Sequence, residues 1–224
     1  MGALRMGPPH DLILLLRDAL GCEVFIEAGT YRGDTAAWAA GEFARVVTVE
    51  RAAAIHQQAI EAHGDLANVR FMLGDSRDAL REVVPGLERP AMLWLDSHWS
   101  GGLTYGAGDE CPLLAELAVI AQAPVEHVVL IDDARLFLSP PPRPHDPAQW
   151  PSIDEVVDAL RSGGKRPAVV VIDDVICCVP AAVKELLVAY CQDVATRAWE
   201  ATSAAAEPSL AWRARYKASR LFRR

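Results

Sequence analysis

Five short apolar runs mark the first 133 residues, and each leads to a carboxylate. They are VFIE (24–27), VVTVE (46–50), VRFMLGD (69–75), MLWLD (92–96) and VVLIDD (128–133). Runs of this length, apolar nearly throughout, suit strands buried on both faces, as in a parallel sheet. Helical patterns at about 34–41, 51–63, 76–84 and 111–122 follow the first four strands in turn. Such alternation implies βαβ units and a parallel sheet with helices on both faces. The end of the chain differs. After a helix at about 152–162, AVVVI (168–172) and VICCV (175–179) flank Asp173 and Asp174 and read as a hairpin. Its turn needs φ > 0, which Asp accepts less readily than Asn-Gly. The fold class is therefore α/β: a doubly wound, mostly parallel seven-stranded sheet with a terminal antiparallel hairpin. Residues 1–21 read as a helical cover for the sheet edge, 22–180 as the core, and 181–224 as a helical extension with a basic tail.

Composition narrows the function classes. The 224 residues suit one α/β domain with elaborations, and 51% hydrophobic content supports a real core. No apolar run is long enough to cross a bilayer, and Asp11, Arg17 and Asp18 interrupt the apolar N-terminal stretch, which has no small-residue cleavage site. A net charge of −8 argues against a nucleic-acid partner. The segment Pro208–Arg224 runs against that trend, with Arg213, Arg215, Lys217, Arg220, Arg223 and Arg224 and no acid, and reads as a solvated helix. Cys22, Cys111, Cys177, Cys178 and Cys191 show no paired spacing. They are expected as buried free thiols in a reducing cytosol, so the expected location is cytoplasmic. The N-terminal helix and the segment after Pro180 are the surfaces expected to serve a homodimer.

In open α/β sheets, ligands bind at the C-terminal lips of the strands. Glu27, Glu50, Asp75, Asp96, Asp132 and Asp133 are therefore expected to converge on one crevice. The loop after the first strand reads Glu27-Ala28-Gly29-Thr30-Tyr31-Arg32-Gly33-Asp34-Thr35. It has G-x-x-x-G where a dinucleotide fingerprint needs G-x-G-x-x-G, and Glu27 and Asp34 would repel a pyrophosphate. A nucleoside without phosphates fits better. S-adenosylmethionine has a cationic amino group and sulfonium, and a carboxylate suited to backbone N–H groups at a helix start. Glu50 is placed for the ribose hydroxyls, and Asp75, in Gly74-Asp75-Ser76, for the adenine amino group.

These residues resemble the class I S-adenosylmethionine-dependent methyltransferases. Glu27, Gly29, Gly33 and Thr35 match the first motif of that family, Glu50 the second, and Gly74-Asp75-Ser76 the third. The resemblance covers about residues 22–180 and implies a cofactor site that also takes in Thr30, Tyr31 and Asp96.

Asp96 ends the fourth strand, and Asp132 and Asp133 end the fifth. Adjacent strands lie about 4.8 Å apart, so these carboxylates are expected to share a Mg²⁺ or another hard divalent cation. Zinc suits them less, because only His98 offers nitrogen nearby. The pattern is similar to the metal-dependent O-methyltransferases of the catechol and antibiotic-sugar types. It departs from them at the base: the lysine expected three residues after Asp96 is Trp99, leaving His98 as the substitute. The resemblance implies methyl transfer to a hydroxylated small molecule, a saccharide or natural product, with Asp96, His98 and Asp133 as catalytic residues. Two other readings stand beside it: metal-free methylation of an O, N or carboxylate acceptor, and an inactive nucleoside-binding scaffold. Ser100, Gly101, Gly102, Thr104, Tyr105 and Gly106 are expected to form a mobile wall over the acceptor. Glu110 is expected to cap the next helix or line the pocket. The Pro-rich stretch 139–151 is expected as a lid or a stiff surface excursion.

Overall fold

The computed structural model describes residues 7–99, 106, 108–164 and 166–206. Five residues of the expected acceptor wall, Ser100 to Gly102, Thr104 and Tyr105, lie outside the described residues, as does the basic tail. The chain divides into two units after Leu187. The first unit holds the sheet. The second, from Val188, continues helix α8 (Lys184–Ala206).

Seven strands form one sheet: β1 (Val24–Ala28), β2 (Arg45–Glu50), β3 (Val69–Leu73), β4 (Met92–Leu95), β5 (Val128–Ile131), β6 (Ala168–Ile172) and β7 (Val175–Val179). Their order is β3-β2-β1-β4-β5-β7-β6. The first five in that row run parallel, and β7 pairs antiparallel with both β5 and β6. Every position of β4 and β5 is buried, whereas the edge strands β3 and β6 are partly exposed. The apolar runs of the sequence thus mark the centre of the sheet.

Between the strands lie α2 (Asp34–Glu42), α3 (Ala53–His63), α4 (Ser76–Val83), α5 (Leu113–Ala121), a short α6 (Arg135–Leu138) and α7 (Ile153–Leu160). Local chemistry sets several boundaries. Asp75 caps α4 by accepting the Arg77 N–H, and Ser152 with Glu155 forms a capping box on α7. One face of the sheet packs Ile26, Leu93, Leu95, Val129 and Ile131 against Leu80 of α4, Leu117 of α5 and Val156 of α7.

The N-terminal helix α1 (His10–Leu20) lies over the opposite face, not along an edge as expected. His10 stacks on Trp38 of α2 at 3.8 Å between ring centroids, and Trp38 meets Phe25 of β1 edge-on at 6.1 Å. The reason is the apolar stripe Leu12, Ile13 and Leu16, which is wholly buried and needs a sheet face to cover it.

The hairpin turn solves its strain with a partner. Asp173 and Asp174 have φ of 46° and 70°, the left-handed pair that a two-residue turn demands. The Asp174 carboxylate accepts the Arg135 backbone N–H at 2.8 Å and also takes the Arg135 guanidinium.

Leu93, fully buried between two layers, provides the test of this packing. Leu93→Ala should lower unfolding free energy by roughly 2–5 kcal/mol. Urea denaturation reads this as a lower midpoint at unchanged slope.

Candidate functional site

The strand order reverses between β1 and β4, and there the lips separate. Asp96 N–H donates to Ala28 C=O at 2.8 Å, the last rung joining the two strands. Gly29 then turns away with φ 99°, its N–H on Val49 C=O. A Cβ at Gly29 would sit 2.1 Å from the Asp96 carbonyl oxygen, so only glycine lets the two lips come this close. Tyr31 follows with φ 46°, an uncommon conformation for a bulky residue.

Beyond this fork is a cavity of about 670 Å³, within the usual range for small-ligand pockets. Its walls include Gly29, Tyr31, Glu50, Gly74, Asp75, Ser76, Asp96 and His98. The structure thus brings together residues that are far apart in sequence at one crevice. The Glu50 carboxylate accepts N–H groups of Tyr31 at 3.0 Å and Ala52 at 2.8 Å, and stays partly exposed to the cavity. Each of its oxygens retains a lone pair for a further donor.

Other expected cofactor residues sit elsewhere. Glu27 is buried beneath the crevice, accepts the Thr48 hydroxyl at 2.6 Å, and is absent from the cavity lining, as are Thr30, Gly33 and Thr35. Thr30 shares a hydroxyl hydrogen bond with Thr48 at 2.6 Å. Burial pushes the Glu27 carboxyl up to about 8. Asp75 reaches the cavity wall but is held by Arg77, whose Nε and Nη2 approach at 2.8 and 2.6 Å and keep its carboxyl below the usual range. Arg77 also bridges to Asp109 at 2.5 Å, and Arg51 reaches Asp109 at 3.1 Å. This clasp joins the lips of β2 and β3 to the segment before α5. Sequence reading missed it, though each of its arginines directly follows a residue singled out there, Glu50 or Ser76.

The lips of β4 and β5 carry a second cluster. His98 Nε2 lies 2.8 Å from Asp133 Oδ2 and 3.7 Å from Asp96 Oδ1. Arg135 Nη1 lies 2.6 Å from Asp133 Oδ1. Asp132 Oδ1 accepts the Asp133 N–H at 2.8 Å. Burial raises Asp96 to about 7 and Asp132 to about 6, with His98 opposing in both cases. Burial also acts on Asp133, yet His98 and Arg135 outweigh it and hold that carboxyl below its ordinary range. For His98, burial disfavours the cation, while Asp133, Asp96 and Asp132 raise its pKa overall.

This arrangement does not support the expected metal site. Both oxygens of Asp133 already face positively charged or proton-donating groups, and one of Asp132 is tied to backbone. Among the described residues, no group of three or more His, Cys, Asp or Glu is arranged to hold a metal ion. The residues present do not fit a hard divalent cation, which needs several free oxygens at one point.

Glu110 neither caps α5 nor lines the large cavity. Buried, it accepts Trp150 Nε1 at 2.7 Å, the Asp146 N–H, and lies 3.2 Å from His145 Nδ1. It therefore staples the Pro-rich stretch to the loop after β4, where Trp99 N–H donates to Glu110 C=O at 2.7 Å. Trp150 in turn packs edge-on against His98 at 5.4 Å. Glu116 of α5 was also missed: it is buried, accepts the Ser97 hydroxyl at 2.7 Å, and burial raises its pKa against the bonds from Ser76 and Ser97. Its only sequence signal was an acid on an otherwise apolar helix.

No protein-family model and no curated protein matches the chain. Solved structures do. An O-methyltransferase from Bacillus cereus in complex with SAH superposes with a TM-score of 0.53 at 16% identity, covering 79% of this chain and 83% of that one. Cofactor-bound Rv0187 from MTB gives 0.51 at 17%, covering 78% and 82%. DesVI of Streptomyces venezuelae gives 0.50 at 14%, covering 77% and 90%. The likeness shows the fold: the chain has the Rossmann-like methyltransferase fold.

The buried Glu27 makes stability depend on pH. Folded, it keeps its proton to about 8, while its ordinary pKa is 4.5. Its contribution is complete below about 4.5 and is lost as pH rises toward 8, on the order of 1 kcal/mol per pH unit. Glu27→Gln should flatten that decline in urea unfolding. An equally steep decline in the variant would contradict the burial argument.

Proposed function

We propose that the protein transfers a methyl group from S-adenosylmethionine to a hydroxyl oxygen of a small molecule. The observation that carries this reading is the cavity at the β1–β4 fork, with Glu50, Gly74 and Asp75 on one side and Asp96 and His98 on the other. It has the size for a nucleoside with a short side chain, and it joins a ribose-type carboxylate to an acid–base cluster. The fold shared with an O-methyltransferase in complex with SAH supports it further.

S-adenosylmethionine would supply a methyl group already attached to a good leaving group, so positioning does most of the catalytic work. Glu50 would accept hydrogen bonds from the ribose hydroxyls. Asp96, at the fork, would face the cationic part of the cofactor. The Asp75–Arg77–Asp109–Arg51 clasp would set the wall beside the nucleoside. His98 would take the acceptor's proton: in the neutral ring Nε2–H would keep its proton and donate a hydrogen bond to Asp133, while the lone pair on Nδ1 would receive the hydroxyl hydrogen. Asp133 holds the ring in that tautomer and stabilises the imidazolium that forms. No step passes through a metal, because Asp133 is already engaged by His98 and Arg135.

Two substitutions separate binding from chemistry. Glu50→Ala should weaken S-adenosylmethionine binding by roughly 10²-fold in calorimetric titration, through loss of two charge-assisted hydrogen bonds. His98→Asn should leave that affinity nearly unchanged and lower kcat roughly 10²–10⁴-fold toward a hydroxylated acceptor found by screening. Full turnover in His98→Asn would remove His98 from the chemistry. Absence of cofactor binding by the unaltered protein would end the methyl-transfer reading.

A further inference from the structure

The strand lips that end in Asp96, Asp132 and Asp133 need positive charge nearby, since three carboxylates this close destabilise one another. The chain provides that charge itself. Arg135 opens α6, two residues beyond Asp133, and its Nη1 lies 2.6 Å from Asp133 Oδ1. The guanidinium is held from behind. Asp174, in the turn between β6 and β7, takes the guanidinium and the Arg135 N–H on its two carboxylate oxygens, and its own C=O accepts the Ala134 N–H at 2.8 Å. Asp174 has a nearly buried side chain, with 7% exposure. Three bonds from one residue thus lock the 134–135 segment. On the other side of Asp133, His98 occupies Oδ2.

We infer that Arg135, locked by Asp174, is a built-in cation that takes the place of a divalent metal at the lips of β4 and β5. An ion bound to Asp133 would stand within a few ångströms of the guanidinium and would be repelled by it. Arg135 acts through Asp133 and is a positioning residue. This inference rests on the methyl-transfer reading for its consequence in catalysis, but its geometry is independent of that reading.

The test uses Mn²⁺ as the probe, followed by electron paramagnetic resonance of the folded full-length protein. The unaltered protein should show only weak, non-saturating binding that Asp133→Asn leaves unchanged. Arg135→Met removes the charge, keeps much of the volume, and should gain at least about tenfold in Mn²⁺ affinity. The gain should vanish in the double variant Arg135→Met, Asp133→Asn, and Arg135→Lys should behave as the unaltered protein does. If Arg135→Met fails to fold, Arg135→Gln, which removes the charge and keeps a hydrogen-bond donor toward Asp133 and Asp174, should show the same gain. Saturable Mn²⁺ binding by the unaltered protein that Asp133→Asn abolishes would overturn the inference. So would a folded Arg135→Met with no gain. Titration of the same samples with S-adenosylmethionine reports separately on the methyl-transfer reading.

Discussion

The approach of β1 to β4 at Gly29 governs the rest of the molecule. The rung from Asp96 N–H to Ala28 C=O holds the two lips together to the last residue, and the missing side chain of Gly29 lets them touch before parting. Because the strand order reverses there, the loops after β1 and β4 leave in opposite directions and open a crevice between them. Glu50 and Asp75 approach this crevice from one side, and Asp96 and His98 from the other.

A lip lined with carboxylates is tolerable only if each charge is answered. The protein answers them with its own groups. Glu27 avoids a charge by keeping its proton over the Thr48 hydroxyl, Asp75 is gripped by Arg77, and Asp133 lies between His98 and Arg135. Glu50 differs, accepting the backbone N–H groups of Tyr31 and Ala52 and facing the cavity. That difference separates carboxylates that shape the site from the one best placed to receive a ligand's hydroxyls.

The strands and their acidic ends were legible because burial on both faces forces apolar runs, and because a parallel sheet carries every C-terminal lip to one edge. Even the hairpin at Asp173–Asp174 was legible from two apolar runs around a two-residue gap. The pairing of the charges was not. Spacing says that Asp133 stands at the lip of β5, but not that Arg135 folds back on it, since that depends on a turn forty residues further on. Likewise Glu110 looked like a helix cap, and its real partners, His145, Asp146 and Trp150, come from a Pro-rich stretch with no periodicity to place it. The metal expectation met the same limit: it counted carboxylates without the guanidinium of Arg135 that pairs with Asp133.

A crystal structure with S-adenosylhomocysteine bound decides whether the fork between β1 and β4 holds the cofactor. The nucleoside is expected in the crevice between Gly29 and Gly74, its ribose hydroxyls on Glu50, its sulfur turned toward Asp96 and His98, with no metal density at Asp133. A nucleoside bound anywhere else, or a crevice that stays empty at saturating ligand, would contradict it.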